Sequence, residues 1–482
     1  MVIPDLSDTI AALATPPGTG AIAVLRLSGP RALIIADGIF RGKRLENQPS
    51  HTAHFGRIED EQGRALDEAL VTVFRAPATY TGEDLVEISV HGSAYIQQEV
   101  LQLLLRRGAR MAQPGEFTLR AFLNGKMDLS QAEAVADLVA SQGEAAHAVA
   151  LRQLRGGFKT EIARLREELI HFASLVELEL DFSEEDVEFA DRIQMKALVE
   201  KIQGYIRPLL QSFALGNALK TGIATVIAGR PNAGKSTLLN ALLHEERAIV
   251  SEIAGTTRDT IEEVLNIRGL QFRLVDTAGI REAQDQIEAL GVQRTMEKIQ
   301  QASILVYVWD VAAMTLAEVY ADLASLGGRG GLIVVCNKMD MNPYFKTEWL
   351  LDPTSPDIPP YLLEGGPLPA HSAFSVPHSS LIPISAKTEQ NIEYLKEKLF
   401  EIALGGEVEL DHTIVTNARH YDALQRAASA LDDVTTALES GVTGDFIALD
   451  IRRALNFLGE ITGEIGVEDL LGNIFGKFCI GK

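Results

Sequence analysis

The 482-residue sequence predicts a multidomain α/β protein, in which a helix-covered α/β domain interrupts a helical domain that follows a smaller α+β domain. Two observations predict this arrangement. The spacing of apolar residues changes repeatedly along the chain, and strand-like runs alternate regularly with helical segments only in its middle part.

Residues 1–127 are predicted to form the small α+β domain. AIAVLRLSGP, ALVTVFRAP and LVEISVHG are typical of strands, and IQQEVLQLLLRRG is typical of a helix. In residues 128–221, apolar positions recur three and four apart, as in EIARLREELIHFASLVELELDF. This second part is predicted to consist of long amphipathic helices.

Residues 222–404 are predicted to form the α/β domain. Its β-rich runs TGIATVIAG, LQFRLVDTAG, SILVYVWD, LIVVCNK and LIPISAK are separated by helical segments, which is typical of a parallel sheet covered by helices. Residues 405–482 are helical again. This last part alone has few helices with which to bury its apolar residues, so we expect 128–221 and 405–482 to share one helical domain. The alternative is two separate bundles.

Residues 341–380 interrupt the α/β pattern. They are rich in proline and show no sustained period, so we expect a long insertion at the surface.

Charge and composition exclude several classes of protein. A formal net charge of -22 argues against sequence-blind binding of nucleic acid, which needs a basic face, so any RNA contact must be local or come from a partner. No run approaches the roughly 18 apolar residues of a membrane helix, and the N-terminus lacks a signal-like pattern, so we expect no membrane association and a cytoplasmic protein. The two cysteines, Cys336 and Cys479, cannot form a disulfide framework.

The segment GRPNAGKS, residues 229–236, follows a predicted strand and begins a predicted helix, which is the setting of a phosphate-binding loop. Glycines allow backbone N–H groups to curl around a phosphate at the positive end of the helix. Lys235 is then placed to reach the β and γ oxygens, and the Ser236 hydroxyl to bind Mg²⁺. Because this pattern also occurs by chance, the motifs that follow decide its meaning.

Four further motifs complete a guanine-nucleotide site. Asp276 of DTAG can hold the metal through water, and Asp340 of NKMD offers a carboxylate to the N1 and N2 hydrogens of guanine, which adenine lacks. Ser385 of SAK closes the base pocket, and Thr257 of GTTRD is a mobile metal ligand. The predicted GTP-binding residues are therefore Asn232, Ala233, Gly234, Lys235, Ser236, Thr237, Ser251, Glu252, Ile253, Ala254, Gly255, Thr256, Thr257, Asp276, Thr277, Ala278, Gly279, Asn337, Lys338, Asp340, Ser385, Ala386 and Lys387.

The motifs leave open which residue activates water for hydrolysis. Ile280 follows DTAG at the place where Ras-type GTPases have a glutamine that orients water, so another group must act. Glu282, Asp285 and Glu288 can each polarise a water if their loop folds over the phosphate. Asn232 can help to hold a monovalent cation that neutralises the leaving group, or can merely cap the loop.

Over nearly its whole length the sequence resembles the MnmE (TrmE) family of tRNA-modifying GTPases. The resemblance is carried by GRPNAGKST, AGTTRD, DTAGIRE and NKMD, and more specifically by DTIAALATPPGTGAIAVLRLSGP, PGEFTLRAFLNGKMDLSQAEAVADL and FCIGK. It implies a Ras-like P-loop GTPase domain inserted into the helical domain, after an N-terminal domain that resembles folate-binding folds and dimerises.

The resemblance also implies what the protein does. Members of the family form a homodimer that binds and hydrolyses GTP. The homodimer acts with an FAD-dependent MnmG partner in a heterotetramer-type complex. The complex adds an aminomethyl or carboxymethylaminomethyl group to C5 of the wobble uridine, position 34, of certain tRNAs. No GxGxxG fingerprint is present, so we expect the flavin on the partner.

The resemblance assigns roles within the hydrolytic site. It implies hydrolysis that depends on dimerisation and is stimulated by K⁺, with Glu288 as the general catalyst among the three acidic residues left open above. Mg²⁺ is implied at Ser236 and Thr257, and K⁺ at Asn232, Ser251, Ile253 and Thr256.

In the N-terminal domain, the resemblance implies a 5-formyl-tetrahydrofolate, or a related one-carbon folate, as donor. The implied contacts are Arg26, Glu87, Lys126 and Lys482, which without the resemblance would be taken for surface charges. A carboxylate can accept hydrogen bonds from a pterin, and basic groups can pair with the carboxylates of its glutamate tail. Cys479 can act as a nucleophile or acid/base group if a lysine lowers its pKa, or can serve only in packing.

Two other classes compete with this interpretation. Ribosome-assembly GTPases of the Era and Der type share the central motifs but give no reason for LRLSG, FLNGK and FCIGK. A dynamin-like GTPase is disfavoured because we find no basic amphipathic anchoring helix in the sequence.

The stretch 341–380 is longer than the family's usual connection between NKMD and SAK. Because it leaves these motifs intact, the difference affects expectations about surface and partner contacts rather than about activity.

Overall fold

A computed structural model describes residues 7–181, 192–243, 262–276, 302–326, 331–352, 354–364, 380–404, 414–440, 444–464, 474–475, 478–479 and 481. The chain forms two compact units. Unit 1 comprises Met1–Ala140, Ala150–Arg207 and Asp422–Lys482, and unit 2 comprises Ser141–Val149 and Pro208–Tyr421. Most of unit 2 therefore interrupts unit 1 along the sequence. The domain boundaries at 127, 221 and 404 stay predictions.

Unit 1 contains a seven-stranded sheet with the order β3-β4-β5-β6-β2-β1-β7. Neighbouring strands are antiparallel, except that β1 and β7 are parallel. The strands are β1 Ile10–Leu13, β2 Ile22–Ser28, β3 Phe40–Arg41, β4 Thr52–Glu59, β5 Ala65–Phe74, β6 Leu85–His91 and β7 Arg110–Met111.

The alternation of apolar residues explains which face of this sheet is covered. In β2, Ala23, Leu25 and Leu27 are buried in one core with residues of helices α1 (Ala32–Asp37) and α2 (Ala94–Arg106). Successive side chains in a strand point to opposite faces, so Arg26 lies on the other face of the sheet. Glu87 of β6 is its direct partner in the strand register.

Helices form most of the remaining described part of unit 1. They include α3 Glu116–Leu123, α4 Leu129–Ala140, α6 Gly157–Asp181 and Gly444–Thr462, while α5 Glu144–Leu154, α7 Arg192–Thr221 and Ala418–Ser440 each contain a boundary between the units. Helix α6 buries Ile162, Leu165 and Leu169, which are spaced three and four residues apart, and packs along Gly444–Thr462. The early and late helical segments thus share one unit rather than two separate bundles.

The C-terminal segment packs onto helices α3 and α4. Phe475 and Phe478 are buried in one core with Leu119 and Leu129. Gly115, just before α3, has φ +69, and a Cβ there would lie 2.7 Å from the carbonyl oxygen of Phe475. Glycine is therefore needed at this position both for its backbone conformation and for the close approach of the C-terminal segment.

Unit 2 contains a six-stranded sheet with the order β13-β12-β11-β8-β10-β9. All neighbours are parallel except the antiparallel pair β9 and β10. Every residue of β11 is buried, as expected for a strand covered on both faces. The strands are β8 Ile223–Ala228, β9 Glu262–Ile267, β10 Leu270–Asp276, β11 Ile304–Asp310, β12 Leu332–Asn337 and β13 Leu381–Pro383. The described helices of unit 2 also include α8 Lys235–Leu243, Leu316–Leu326, Glu348–Leu351 and Ile392–Leu404.

The described part of 341–380 contributes to a core of unit 2 instead of lying only at its surface. It contains the helix Glu348–Leu351 and the 3-10 helix Pro360–Leu363. The ring of Phe345 lies edge-on to Trp309 of β11 at 4.8 Å and to Trp349 at 5.6 Å, and all three residues are buried. Phe345 itself lies in an irregular segment between elements, so it follows no helix or strand period. Residues 353 and 365–379 lie outside the described part.

Among the described helices, none is both long and apolar enough to cross a membrane.

Candidate functional site

The predicted phosphate loop connects β8 to helix α8, so its backbone N–H groups lie at the start of that helix. Gly234 has φ +97, and a Cβ there would lie only 2.3 Å from Nδ2 of Asn337. Asn232 has φ 63, which asparagine tolerates better than most residues. The loop thus has the curled backbone that a phosphate cradle requires, and its close approach to Asn337 excludes any side chain at Gly234.

Lys235 is held within the loop. Its ammonium group donates hydrogen bonds to the carbonyl oxygens of Gly229 at 3.0 Å and Arg230 at 2.9 Å. Ser236 and Thr237 follow it in the first turn of α8 and are exposed. A hydroxyl at the start of the helix suits a hard cation such as Mg²⁺, which prefers oxygen ligands.

Asn337, at the end of β12, joins three of the predicted motifs. Its side-chain amide donates to the carbonyl oxygen of Ala233 at 2.8 Å, and its side-chain oxygen accepts from the N–H of Ala386 at 3.0 Å. The residue is only 2% exposed, so both hydrogen bonds are shielded from water. The phosphate loop and the NKMD and SAK segments are therefore held together by one buried side chain.

The predicted guanine-reading carboxylate is also fixed in place. The hydroxyl of Ser385 donates a 2.7 Å hydrogen bond to Oδ1 of Asp340, while Asp340 itself is exposed. Lys338 has φ 69, and its ammonium lies 2.6 Å from Oδ2 of Asp310. Lys387 follows Ala386 and is exposed.

Sequence reasoning missed the role of Asp310 in this site. The residue is only 5% exposed, and the structure places its carboxylate against the ammonium of Lys338. A carboxylate at the end of an otherwise apolar strand, beside the strand that ends in NKMD, was the available signal.

Several predicted residues lie outside the described part of the chain. Asp276 is the last residue of β10 and pairs in register with Ile227 of β8, which brings its backbone to the strand that leads into the phosphate loop. Nothing is described for Ser251, Glu252, Ile253, Ala254, Gly255, Thr256, Thr257, Thr277, Ala278, Gly279, Glu288 and Lys482. Of the predicted ligands for Mg²⁺ and K⁺, the described residues are Ser236 and Asn232.

The predicted folate contacts form a second cluster, in unit 1. Arg26 donates two hydrogen bonds to Oε1 of Glu87, at 2.7 and 2.9 Å, so these groups pair with each other. Arg26 also donates to the carbonyl oxygen of Gly481 at 3.3 Å, and its guanidinium carbon lies 5.7 Å from the ring centroids of both Tyr80 and Phe117. The cluster offers charged donors and acceptors beside aromatic rings, a combination that fits a flat, polar heterocycle.

Lys126 and Cys479 lie at the margins of this cluster. The ammonium of Lys126 donates to the carbonyl oxygen of Pro77 at 2.9 Å, in the loop that carries Tyr80. Cys479 is exposed, and its carbonyl oxygen accepts a 3.4 Å hydrogen bond from the N–H of Gly115. By contrast, burial raises the pKa of the Cys336 thiol, so that thiol stays protonated and unreactive.

The fold and the site first define a class of protein. A largely parallel sheet with a glycine-containing loop between β8 and α8, and with NKMD and SAK segments after neighbouring strands, is a P-loop GTPase domain.

Comparison with known proteins then defines the family. A family model described as the MnmE helical domain matches residues 129–479, and one described as the GTP-binding protein TrmE N-terminus matches residues 9–126. The "tRNA modification GTPase MnmE" of Cytophaga hutchinsonii is 54% identical over 477 residues, which are 99% of this chain and 98% of that protein. The protein of the same name from Christiangramia forsetii is 52% identical over 488 residues, 99% of this chain and 100% of that protein. The chain belongs to the MnmE (TrmE) family.

A solved structure of a GTP-binding protein from Sulfolobus solfataricus in complex with GDP is 20% identical to this chain. The match covers 51% of this chain and 67% of that one, with a TM-score of 0.27.

Proposed function

We propose that this protein is a GTPase that acts in tRNA modification. The observation that carries the proposal is the Asn337 contact, which joins the phosphate loop at Ala233 to the base-recognition segment at Ala386. Family membership supports the tRNA-related role, because the relatives are named tRNA modification GTPases. The nucleotide lies with its phosphates at Gly234 and Lys235 and its base at Asp340.

Selection of guanine rests on Asp340. Its carboxylate accepts hydrogen bonds from N1 and N2 of guanine, whereas adenine offers no such donors at this edge. We expect the full chain in KCl and MgCl₂ to hydrolyse GTP and to discriminate strongly against ATP. Asp340→Asn should weaken GTP binding about a hundredfold or more, because two charge-assisted hydrogen bonds are lost. Equal turnover of ATP and GTP by the unsubstituted chain would refute the proposal.

Hydrolysis uses two cations and one carboxylate in this proposal. Ser236 and Thr257 would hold Mg²⁺, and Asn232 with backbone oxygens of Ser251, Ile253 and Thr256 would hold K⁺, which would supply positive charge at the leaving group. Glu288 acts as the general catalyst. Glu288→Ala should keep nucleotide binding and lower kcat about a hundredfold or more, whereas Glu282→Ala in the same segment is the matched control. Equal rates in KCl and NaCl would exclude the K⁺ role, and a normal rate for Glu288→Ala would exclude Glu288.

The tRNA chemistry depends on partners. We propose that a homodimer acts with an FAD-containing MnmG protein to add an aminomethyl or carboxymethylaminomethyl group to C5 of the wobble uridine. A one-carbon folate such as 5-formyl-tetrahydrofolate binds at Arg26, Glu87, Lys126 and Lys482, with Cys479 close by. The fit is supported by the polar and aromatic cluster around Arg26. Calorimetric titration with 5-formyl-tetrahydrofolate tests this part, and no heat of binding would remove the folate role.

A further inference from the structure

Arg230, the second residue of the phosphate loop, is tied to the helix Leu316–Leu326. Its Nε and Nη2 donate to the two carboxylate oxygens of Asp322, at 2.9 and 3.0 Å, and its Nη1 donates to the carboxylate of Glu318. A bidentate guanidinium–carboxylate contact of this kind fixes the direction of the side chain as well as its position. We call Arg230, Glu318, Asp322 and Tyr307 the Arg230 clamp.

The acceptors of the clamp are themselves held. The hydroxyl of Tyr307, on the buried strand β11, donates a 2.7 Å hydrogen bond to Oδ2 of Asp322. Glu318 accepts a 2.9 Å hydrogen bond from the N–H of Thr315, whose hydroxyl accepts from the N–H of Glu318 in return. This reciprocal pair caps the start of the helix. Groups other than Arg230 therefore also fix the orientation of both carboxylates.

The backbone beside the clamp holds Lys235, the lysine of the phosphate loop. The carbonyl oxygen of Arg230 accepts a hydrogen bond from the Lys235 ammonium at 2.9 Å, and the preceding carbonyl, of Gly229, accepts another at 3.0 Å. Arg230 is thus fixed to the helix Leu316–Leu326 through its side chain, and its backbone carbonyl holds Lys235. The side-chain hydrogen bond to Asp322 raises the pKa of Arg230, so the clamp stays charged at any physiological pH.

We propose that Arg230 is a positioning residue for nucleotide binding, which fastens the start of the phosphate loop so that Lys235 is directed toward the phosphates before they arrive. This inference rests on the proposed GTPase function. In this inference Arg230 does not contact the reacting atoms, because its guanidinium donates hydrogen bonds to Asp322 and Glu318. Ordering a loop in advance reduces the entropy that binding must otherwise overcome.

The expected effect is on binding rather than on the chemical step. Without the clamp, the loop must be ordered by the nucleotide, and at saturating GTP the bound phosphates restore its shape. We expect Arg230→Ala to raise the Kd for GDP and the KM for GTP about tenfold while kcat changes less than about twofold. Asp322→Asn should raise both constants about threefold, and Arg230→Lys should recover part of the loss, because lysine supplies charge but no bidentate contact.

The experiment measures the Kd of fluorescent methylanthraniloyl-GDP and the steady-state kinetics of GTP in KCl and MgCl₂, on the full chain. Arg268→Ala is the matched control: it removes an arginine of unit 2 whose ion pair with Glu397, at 3.1 Å, is exposed, so we expect no change. Circular dichroism melts of each variant without nucleotide establish that it is folded. If Arg230→Ala fails to fold, Asp322→Asn and Arg230→Lys still decide the question.

Two results would overturn the inference. Constants for folded Arg230→Ala within twofold of the parent would show that the clamp does not position the loop. A large effect of Arg230→Ala with none for Asp322→Asn would show that Arg230 contacts phosphate directly instead. If the parent chain bound no guanine nucleotide, the proposed function would fail, an outcome distinct from both.

Discussion

A pair of alanine substitutions tests how the C-terminal segment is held in unit 1. Gly115 and Gly125 have nearly the same backbone conformation, with φ +69 and φ +68. A Cβ at Gly115 would lie 2.7 Å from the carbonyl oxygen of Phe475 and 3.0 Å from Cβ of Phe478, whereas a Cβ at Gly125 meets no heavy atom within 4 Å. Gly115→Ala should displace the C-terminal segment, and Gly125→Ala should not.

The magnitude follows from what the displacement exposes. Both substitutions introduce a positive φ for alanine, at about 1 kcal/mol each. Only Gly115→Ala also loosens Phe475 and Phe478, which are 0% and 9% exposed. Burial of a phenylalanine side chain contributes about 1.5–3 kcal/mol. A partial loss for both rings should make packing of the C-terminal segment about 2–5 kcal/mol less stable in Gly115→Ala than in Gly125→Ala.

Hydrogen exchange followed by mass spectrometry measures this difference directly. About 2 kcal/mol corresponds to roughly thirtyfold, so the amides of Phe475, Phe478 and Cys479 should lose at least that much protection in Gly115→Ala relative to Gly125→Ala. Because Arg26 donates to the carbonyl of Gly481, the same variant should also bind 5-formyl-tetrahydrofolate more weakly. Equal protection in the two variants would refute the reasoning from close approach.

Three further predictions concern other contacts. Although burial opposes it, pairing with Arg110 lowers the pKa of Glu116, so in acid the unfolded chain binds more protons than the folded chain. The free energy of unfolding should therefore fall between pH 5 and 3 more steeply in the parent than in Glu116→Gln. Urea midpoints that fall equally with pH in both proteins would contradict this. Asn337→Ala should destabilise unit 2 by about 2–4 kcal/mol, because it leaves the buried carbonyl of Ala233 and N–H of Ala386 unpaired. Chemical denaturation measures this loss, with Asn342→Ala as the comparison. Equal losses in the two variants would contradict the role of Asn337 in joining the segments. Native protein should react with one equivalent of a thiol reagent at Cys479 and with a second, at Cys336, only after unfolding; rapid reaction of two equivalents would show that Cys336 is accessible.

The sequence was sufficient to predict the class of fold and the motifs of the nucleotide site. GRPNAGKS and NKMD are contiguous segments whose chemistry depends on neighbours in the chain, so their meaning survives without a structure. The switch between strand and helix periods likewise follows from local sequence. The prediction of a multidomain α/β protein is confirmed, while the site residues stay predictions.

Contacts between residues far apart along the chain could not be predicted from the sequence. The side chain of Asn337 reaches a carbonyl 104 positions away, and Arg26 reaches Gly481 across 455 positions. No local pattern encodes such distances, since they depend on how sheets and helices are stacked. The aromatic contacts of Phe345 were missed for a related reason: the segment that carries Phe345 has no helix or strand period.

The division of unit 1 into separate stretches of chain has a consequence for its assembly during translation. Pro208–Tyr421 emerges from the ribosome as one nearly continuous block and can begin to fold at once, while the earlier part of unit 1 still lacks Asp422–Lys482. At about 5–20 residues per second, these last roughly 60 residues take about 3–12 s to make. During that interval, the apolar residues of α3, α4 and α6 that pack against Gly444–Thr462 or against Phe475 and Phe478 have not yet met these partners.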